Sequence, residues 1–398
     1  MIAVLVTSPL LLALPPATAQ DGRGRAKLQN LVQLPADFVR FARLPEGGLF
    51  PRVARGKDEL AVLYFQGGAE RGDLLVVRSR DEGASFSTPQ RVDPEPGTAA
   101  RAEDLHGGEL DLGPDGSVHV VWTTPSDPPA LRYARLPADG EPLAPVDLGA
   151  PPGLCLSAAV AVNGAGRIHV FYLAAEGAED LEAVPPERRV WVRRSQDGLE
   201  FSPPEPVDRE STGVSEHSAM TAHVDEVMGT LYVLYRTGYA LKPDSPSLSR
   251  GMRLLHSEDG EAFKSTWVDN WKSVRDPRSN AGLGQEDLST LAVWESGGQV
   301  FWSVIRRQAK KMNVPMEPRS DGPACVRARP AGAAGSGEVC LAWLERPEAE
   351  PDAAPKLAWR VWLRDGRAPI GDGVAPEALR CGWPAIFPRA AGGFTVLY

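Results

Sequence analysis

The chain has little of what marks several large classes of protein. Only four of its 398 residues are cysteine, at positions 155, 325, 340 and 381, and their spacing matches no zinc-binding pattern. The net charge is −9 with both signs mixed along the chain, unlike the basic surface of a nucleic-acid-binding protein. After residue 14 no apolar run is long enough to span a membrane. We therefore expect no metal, no cofactor, no nucleic-acid partner and no transmembrane segment.

Two of the four cysteines leave a question open. Cys325 and Cys340 lie on strand-like runs on either side of the glycine-rich segment 331–337. In an oxidising compartment a cross-strand disulfide between them is one interpretation. The other is that they are two small buried residues in neighbouring strands.

The first 19 residues have the pattern of a signal peptide. Residues 2–14 are apolar, and residues 15–19 end in an A-x-A-like cleavage pattern. We therefore predict a secreted or periplasmic protein with a signal peptide at 1–19, a leader at 20–37 and a single domain at 38–398. We expect that domain to be a monomer.

One apolar strand pattern recurs along the whole domain. Four or five β-forming residues end in Tyr or Trp, 49 to 63 positions apart, at 60–64, 118–122, 168–172, 231–235, 291–294, 339–343 and 394–398. A near-constant period of this size, built of short strands without an amphipathic helix, is typical of a β-propeller. The apolar runs are almost continuous, as expected for strands that are buried on both faces between adjacent blades.

A second repeat is a turn that follows the third strand of a blade. It has the form Ser-x-Asp-(x)-Gly-x-x-Phe and occurs three times, at Ser79, Asp81, Gly83 and Phe86, at Ser195, Asp197, Gly198 and Phe201, and at Ser257, Asp259, Gly260 and Phe263. The Asp side chain can accept bonds from nearby backbone N–H groups, and Gly allows a positive φ. A weaker version occurs at 138–143.

These turns resemble the Asp-box (BNR) repeat of the sialidase superfamily of β-propellers, and the resemblance covers most of residues 50–398. It implies an all-β propeller in which the Asp boxes are structural turns. Seven copies of the apolar strand favour seven blades, with six, the number typical of the family, as the alternative. Because the last unit stops at Tyr398, we predict that the segment 38–44 adds a strand and closes the ring.

Propeller geometry divides the loops between two faces. If the strands of a blade are named a to d from the channel outward, d–a and b–c loops share one face, while a–b and c–d turns share the other. The Asp boxes are c–d turns, so we expect the ligand at the d–a face. Possible catalytic residues there are Arg52, Asp104, Glu216, Arg236, Tyr239 and Glu286, and possible ligand-binding residues are His106, Glu109, His217, Asp287 and Trp383.

The resemblance also implies a chemistry to look for. Sialidases of this superfamily hold the substrate carboxylate with three arginines and use a tyrosine nucleophile polarised by a glutamate. In the family the first arginine stands two residues before a proline, whereas Arg52 follows Pro51. No third arginine and no Tyr–Glu pair match the family by motif. We therefore expect a protein that binds a glycan or an extracellular protein at the d–a face, with an active exo-sialidase or another glycoside hydrolase or lyase as the alternative.

Overall fold

The computed structural model describes residues 34–101, 106–177, 188–208, 220–225, 228–240, 248–273, 282–286, 289–296, 298–305, 324–335, 337–363, 369–375 and 382–398. All of them belong to one compact unit, residues 33–398. The predicted signal peptide lies outside the described residues, as does the leader up to residue 33 and Cys381. Apart from one 3-10 turn at Pro45–Gly47, the regular elements described are β-strands. No helix among them has the length and hydrophobicity needed to cross a membrane.

The described strands form a β-propeller. Six sheets are blades built from consecutive strands, each paired antiparallel to the next in its sheet. Sheet 1 contains β2 (Leu49–Arg55), β3 (Leu60–Gly67), β4 (Arg71–Ser79) and β5 (Gln90–Arg91), with β6 (Ala99–Ala100) also paired to β4. Sheet 2 contains β7 (Gly108–Leu112), β8 (Val118–Thr123), β9 (Leu131–Leu136) and β10 (Val146–Asp147). Sheet 3 contains β11 (Ala158–Val162), β12 (Ile168–Ala174), β13 (Arg189–Ser195) and β14 (Glu205–Pro206).

The remaining blades continue this order. Sheet 4 contains β15 (Thr221–Val224), β16 (Leu231–Ala240), β17 (Leu248–Ser257) and β18 (Lys264–Ser273). Sheet 5 contains β19 (Gly282–Glu286), β20 (Ser289–Ser296) and β21 (Gln299–Ile305). Sheet 6 contains β22 (Cys325–Ala334), β23 (Glu338–Pro347), β24 (Lys356–Leu363) and β25 (Pro369–Val374).

A further three-stranded sheet, here called the terminal sheet, combines both ends of the described chain. It contains β1 (Val39–Ala42), β26 (Ala385–Pro388) and β27 (Phe394–Leu397). β1 pairs with β27 in parallel, with Val39 opposite Phe394. The inner strand β26 contacts β22 of sheet 6 on one side and β2 of sheet 1 on the other.

The hydrophobic core lies between the sheets. Each pair of adjacent sheets shares one cluster of buried apolar side chains, and the second strand of a sheet supplies two clusters at once. In β3, Ala61, Leu63 and Phe65 pack toward sheet 2, while Leu60, Val62 and Tyr64 pack toward the terminal sheet. Successive side chains of a strand point to opposite faces, so a strand between two neighbours is apolar at every position. This is why all seven predicted apolar segments are strands.

Neither interpretation of Cys325 and Cys340 holds in full, because no disulfide joins them and only Cys340 is buried, while Cys325 is partly exposed. Cys155, Cys325 and Cys340 are free thiols. In the register of β22 and β23, Cys340 lies opposite Ala333 and Cys325 lies opposite Pro347, so the two side chains do not face each other. Cys340 is fully buried in the core, and burial raises the pKa of its thiol well above the ordinary value.

Candidate functional site

The innermost strands enclose a large cavity along the channel. Its volume is about 1260 Å³. Its walls are the first strands of sheets 1 to 4, together with parts of β22 and β26. The end of the cavity away from the d–a loops is formed by the a–b turns at 55–59, 113–116 and 163–164, and by the c–d turn residues Arg80 and Asp139.

Three side chains from different sheets meet in the channel. The Arg52 guanidinium donates to Oε2 of Glu109 from Nε at 2.8 Å and from Nη2 at 2.6 Å. Nη2 also donates to the Thr221 hydroxyl at 3.0 Å. These residues, here called the channel clamp, come from β2, β7 and β15. Both charged side chains are largely buried, with 18% and 12% of their side-chain surface exposed.

A β-bulge positions Arg52. In β2, Leu49 pairs with Phe65 and Arg52 pairs with Leu63, so Phe50 and Pro51 together face one residue of β3. Phe50 has a φ of 57°, which a non-glycine residue adopts only at a cost. β-Bulges re-aim side chains next to functional sites. Here the bulge places the arginine so that it reaches across to β7 and β15.

A second bulge repeats this pattern in sheet 6. In β22 the register shifts between Ala328 and Ala331, around Arg329 and Pro330. Arg329 has a φ of 55°, close to that of Phe50. Both bulges thus contain a residue with positive φ followed by proline, in an inner strand.

The bulge residues are packed together at the d–a end of the channel. Two guanidinium groups lie near the Phe50 ring, with Arg101 at 4.5 Å and Arg329 at 5.8 Å from its centre. The rings of His106 and Trp383 lie 4.2 Å apart. We call Phe50, Arg101, His106, Arg329 and Trp383 the mouth cluster.

Backbone contacts hold the mouth cluster in place. Arg329 Nη1 donates to the carbonyl of Gly382 at 2.6 Å, and the indole of Trp383 donates to that of Pro330 at 3.3 Å. His106 is 4% exposed and Trp383 is 1% exposed. Neither ring therefore offers a face to solvent in this conformation.

Burial dominates the electrostatics of the clamp and its surroundings. It raises the pKa of Glu109 to about 7, although the neighbouring Arg52 works in the opposite direction. Burial, and next the positive charge of Arg52, lower the pKa of His106 well below its usual range. Near neutral pH the channel thus holds a carboxyl group able to exchange its proton and an uncharged histidine.

Other polar groups line the cavity below the clamp. Asp111 accepts the backbone N–H of Val162 in sheet 3 at 2.8 Å. Burial lowers the pKa of His223 to about 4, against the opposing charge of Asp225. Nε2 of His223 makes no hydrogen bond within the described part of the chain.

The structure brings together four of the predicted site residues, Arg52, Glu109, His106 and Trp383. Arg236 is buried in β16, in register with Met252. Tyr239 and Glu286 lie in β16 and β19, but their side chains are outside the described part of the molecule. Asp104, Glu216, His217 and Asp287 are outside the described residues. No group of three or more metal-binding side chains occurs among those described.

The three Ser-x-Asp turns share one hydrogen-bond pattern. In the turn at Ser257, the hydroxyl donates to Asp259 Oδ1 at 2.8 Å and accepts the N–H of Gly260 at 2.9 Å. Backbone bonds, led by that from Glu261, hold the pKa of Asp259 at about 2. The glycines Gly83, Gly198 and Gly260 have φ values of 81°, 77° and 74°.

Each of these turns also packs against the preceding sheet. The Cα of Gly198 approaches Tyr133 of sheet 2 so closely that a Cβ there would lie 2.8 Å from its hydroxyl. Gly260 approaches His169 of sheet 3, and Gly83 approaches Phe387 of the terminal sheet. The turns therefore stabilise the interfaces between sheets and lie away from the clamp.

Sequence reasoning missed Thr221, Arg329 and His223, which stand in the channel or at its end. One signal could have found the bulges. A residue–proline pair lies at the start of the inner strand β2, at Phe50–Pro51, and within the inner strand β22, at Arg329–Pro330, while Trp383–Pro384 precedes β26.

Comparison with known proteins identifies the fold. No protein-family profile and no curated protein sequence matches this chain. Among solved structures, the lectin BP39L from Burkholderia pseudomallei is 12% identical, covers 85% of this chain and 89% of its own, and has a TM-score of 0.50. The α-L-arabinofuranosidase Arb93A from Fusarium graminearum is 12% identical over 80% of this chain and 93% of its own, with a TM-score of 0.49. The Hadza microbial sialidase Hz136 is 12% identical, with a TM-score of 0.44.

At 12% identity the similarity to the lectin shows the fold alone. The sialidase match covers 85% of this chain, which spans only 60% of the sialidase's length.

Proposed function

We propose that this protein is a glycan-binding propeller whose ligand is held in the central channel against the clamp. The observation that carries this proposal is the state of Arg52. Its Nε and Nη2 both bond to Glu109, and Nη2 also bonds to Thr221. A sialidase arginine must present a free guanidinium edge to the carboxylate of the substrate. In Arg52 the edge formed by Nε and Nη2 is occupied by Glu109, and on the other edge Nη2 already donates to Thr221. Freeing the first edge for a substrate would leave the buried Glu109 without its ion-pair partner, which is costly.

The channel supplies what an uncharged glycan needs instead. Glu109 and Thr221 carry oxygen atoms that bond to hydroxyl groups, and the apolar wall residues Val53, Leu110 and Val224 surround them. Ligand pockets commonly combine an apolar wall with a few convergent polar groups. The lectin with this fold shows that a propeller can act as a binding module.

Two assays test this function together. On a glycan array the protein is expected to bind, and with a fluorogenic sialoside it is expected to show no turnover. Sialoside turnover that is lost in a folded Arg52→Lys variant would overturn the proposal. Circular dichroism of the variant establishes that it is folded.

One observation favours an enzymatic alternative. Glu109 and Asp111 stand two positions apart on β7, so both point to the same side of the strand, and both line the cavity. Paired carboxyl groups, one with a raised pKa, are the usual catalytic groups of glycoside hydrolases. Release of reducing sugar from a neutral oligosaccharide, abolished in Glu109→Gln, would establish hydrolysis instead of binding alone.

Three further features belong to this proposal. The Ser-x-Asp turns are Asp boxes of the sialidase superfamily, as their shared hydrogen bonds and positive-φ glycines support. The terminal sheet is a seventh blade that β1 closes, as the contacts of β26 with β2 and β22 support. The protein is exported through residues 1–19 and acts as a monomer. Mass spectrometry of the exported protein and its elution volume in size-exclusion chromatography test the last two points.

A further inference from the structure

The cavity is asymmetric along the channel. Its described lining comes from inner strands and from the a–b and c–d turns. Part of each segment that precedes β7, β15, β19, β22 and β26 lies outside the described residues. Arg52, Glu109 and Thr221 form the end of the cavity nearest the d–a loops, here called its inner end. From Arg52 to Arg55 the strand β2 runs three residues, about 10 Å at ~3.3 Å per residue, before it reaches the a–b turn.

Described side chains cross and narrow the d–a end of the channel. The clamp ties sheets 1, 2 and 4 together, and the mouth cluster packs buried rings and guanidinium groups beside it. A ligand arriving from that side would have to displace Arg52 from Glu109 or unstack Phe50 from Arg101. The opposite end is lined by short turns, among them that of Gly164, where an added Cβ would meet no atom within 4 Å beyond the adjoining residues.

We propose that the channel is a blind pocket entered from the face of the a–b turns, and that it takes up the end of an uncharged glycan chain. This rests on the proposed function for its ligand class and reverses the face expected from the sequence. A pocket closed at its inner end admits a chain terminus, whereas a segment from the middle of a chain needs an opening on both sides.

The charge of the lining indicates the class of glycan. Among the described lining residues, six side chains are acidic and four are basic, namely Asp58, Glu59, Glu109, Asp111, Asp139 and Asp225 against Arg52, Arg55, Lys57 and Arg80. The basic residue at the inner end, Arg52, is already paired with Glu109. The described lining holds no excess of basic groups and its inner arginine is paired, so nothing in it favours a carboxylated or sulfated chain end.

The entry route can be tested without a ligand. His223 lines the cavity, so a His223→Cys variant places a thiol there. Labelling of this thiol by N-ethylmaleimide is followed by intact-mass measurement, and labelling of the wild-type protein gives the background. Adding Gly164→Trp, or as a second rim variant Lys57→Trp, is expected to slow labelling about tenfold. The control Leu156→Trp, matched in added volume to Lys57→Trp, enlarges a residue in the d–a loop before β11 and is expected to leave the rate within about twofold. Circular dichroism checks that each variant is folded.

Two results would overturn the entry route. One is slowing by Leu156→Trp without slowing by the two rim variants. The other is a folded His223→Cys protein that is not labelled while its unfolded chain is.

The ligand class is tested with the same readout. A panel of linear pentaoses of glucose, xylose and arabinose is added to the His223→Cys variant, and at least one is expected to protect it from labelling. Stronger protection by a carboxylated or sulfated oligosaccharide would overturn the uncharged class. If no glycan protects while the rim variants still slow labelling, the entry route stands and the proposed glycan function fails.

Discussion

Arg52 and Glu109 are 57 positions apart in the chain, and their side chains meet at 2.6 Å inside the channel. The pair joins sheet 1 to sheet 2, and the bond from Arg52 to Thr221 extends the link to sheet 4. Burying two charges is unfavourable unless they are paired and hydrogen-bonded. The clamp therefore couples the position of three sheets to the protonation of a single carboxyl group.

The first prediction concerns how stability depends on pH. The pKa of Glu109 is about 7 in the folded protein, against an ordinary value of 4.5. Between these values the unfolded chain has lost the proton while the folded protein keeps it. The stability that Glu109 contributes is therefore full below pH 4.5 and is lost as the pH rises through 7. The loss is about 3 kcal/mol, at ~1.4 kcal/mol per pKa unit.

Urea unfolding of wild type and Glu109→Gln from pH 4.5 to 8 measures this effect. As the pH rises across that window, the free energy of unfolding of Glu109→Gln is expected to increase relative to that of wild type. The control Glu141→Gln alters an exposed carboxyl group and is expected to show a constant difference. A constant difference for Glu109→Gln as well would contradict the prediction.

The second prediction concerns the Arg52–Glu109 pair itself. Arg52→Ala leaves a buried carboxylate unpaired and is expected to destabilise the protein by about 3 kcal/mol at pH 8. The double variant Arg52→Ala/Glu109→Gln removes that charge, so it is expected to recover more than about 1 kcal/mol of the loss. A double-mutant cycle from urea unfolding measures the coupling. Additive effects of the two changes would show that the ion pair contributes nothing.

The blade strands could be predicted from the sequence because their cause is local. A strand such as β3 sends alternate side chains to two neighbouring sheets, so it must be apolar throughout, and that pattern can be read from a few consecutive residues. The Ser-x-Asp turns were predictable for the same reason, because their hydrogen bonds join residues two to four positions apart.

The clamp could not be predicted in the same way. Arg52 and Thr221 are 169 positions apart, and their contact depends on the bulge in β2 and on the angle between sheets. Loop position did place Arg52, Glu109, His106 and Trp383 at one end of the channel. It gave no indication that Arg52 would donate hydrogen bonds to Glu109. It also did not indicate that the large cavity would lie between this pair and the a–b turns.

The third prediction concerns the turn glycines. An alanine at Gly198 would place its Cβ 2.8 Å from the Tyr133 hydroxyl, which bonds to His119 Nδ1 at 2.6 Å. Gly140 also has a positive φ, 98°, but a Cβ added there would meet no atom within 4 Å beyond the adjoining residues. Gly140→Ala is therefore expected to cost about 1 kcal/mol from backbone strain alone. Gly198→Ala is expected to cost at least about 1 kcal/mol more, because it also disturbs the buried Tyr133–His119 pair.

Thermal and urea unfolding of the two alanine variants compare these costs directly. Equal losses would show that the turn contributes only its backbone conformation. A larger loss at Gly198 would show that the turn stabilises the interface between sheets 2 and 3.

The fourth prediction concerns β1 and the closure of the ring. Val39 is 8% exposed and packs in the cluster that the terminal sheet shares with sheet 6, whereas the neighbouring Arg40 has most of its side chain exposed. If β1 completes a seventh blade, Val39→Asp buries an unpaired charge in that cluster and is expected to cost more than about 2 kcal/mol. Arg40→Asp in the same strand changes the surface and is expected to cost less than about 1 kcal/mol. Urea unfolding with tryptophan fluorescence measures both, and similar small losses for the two variants would mean that β1 is not needed to close the ring.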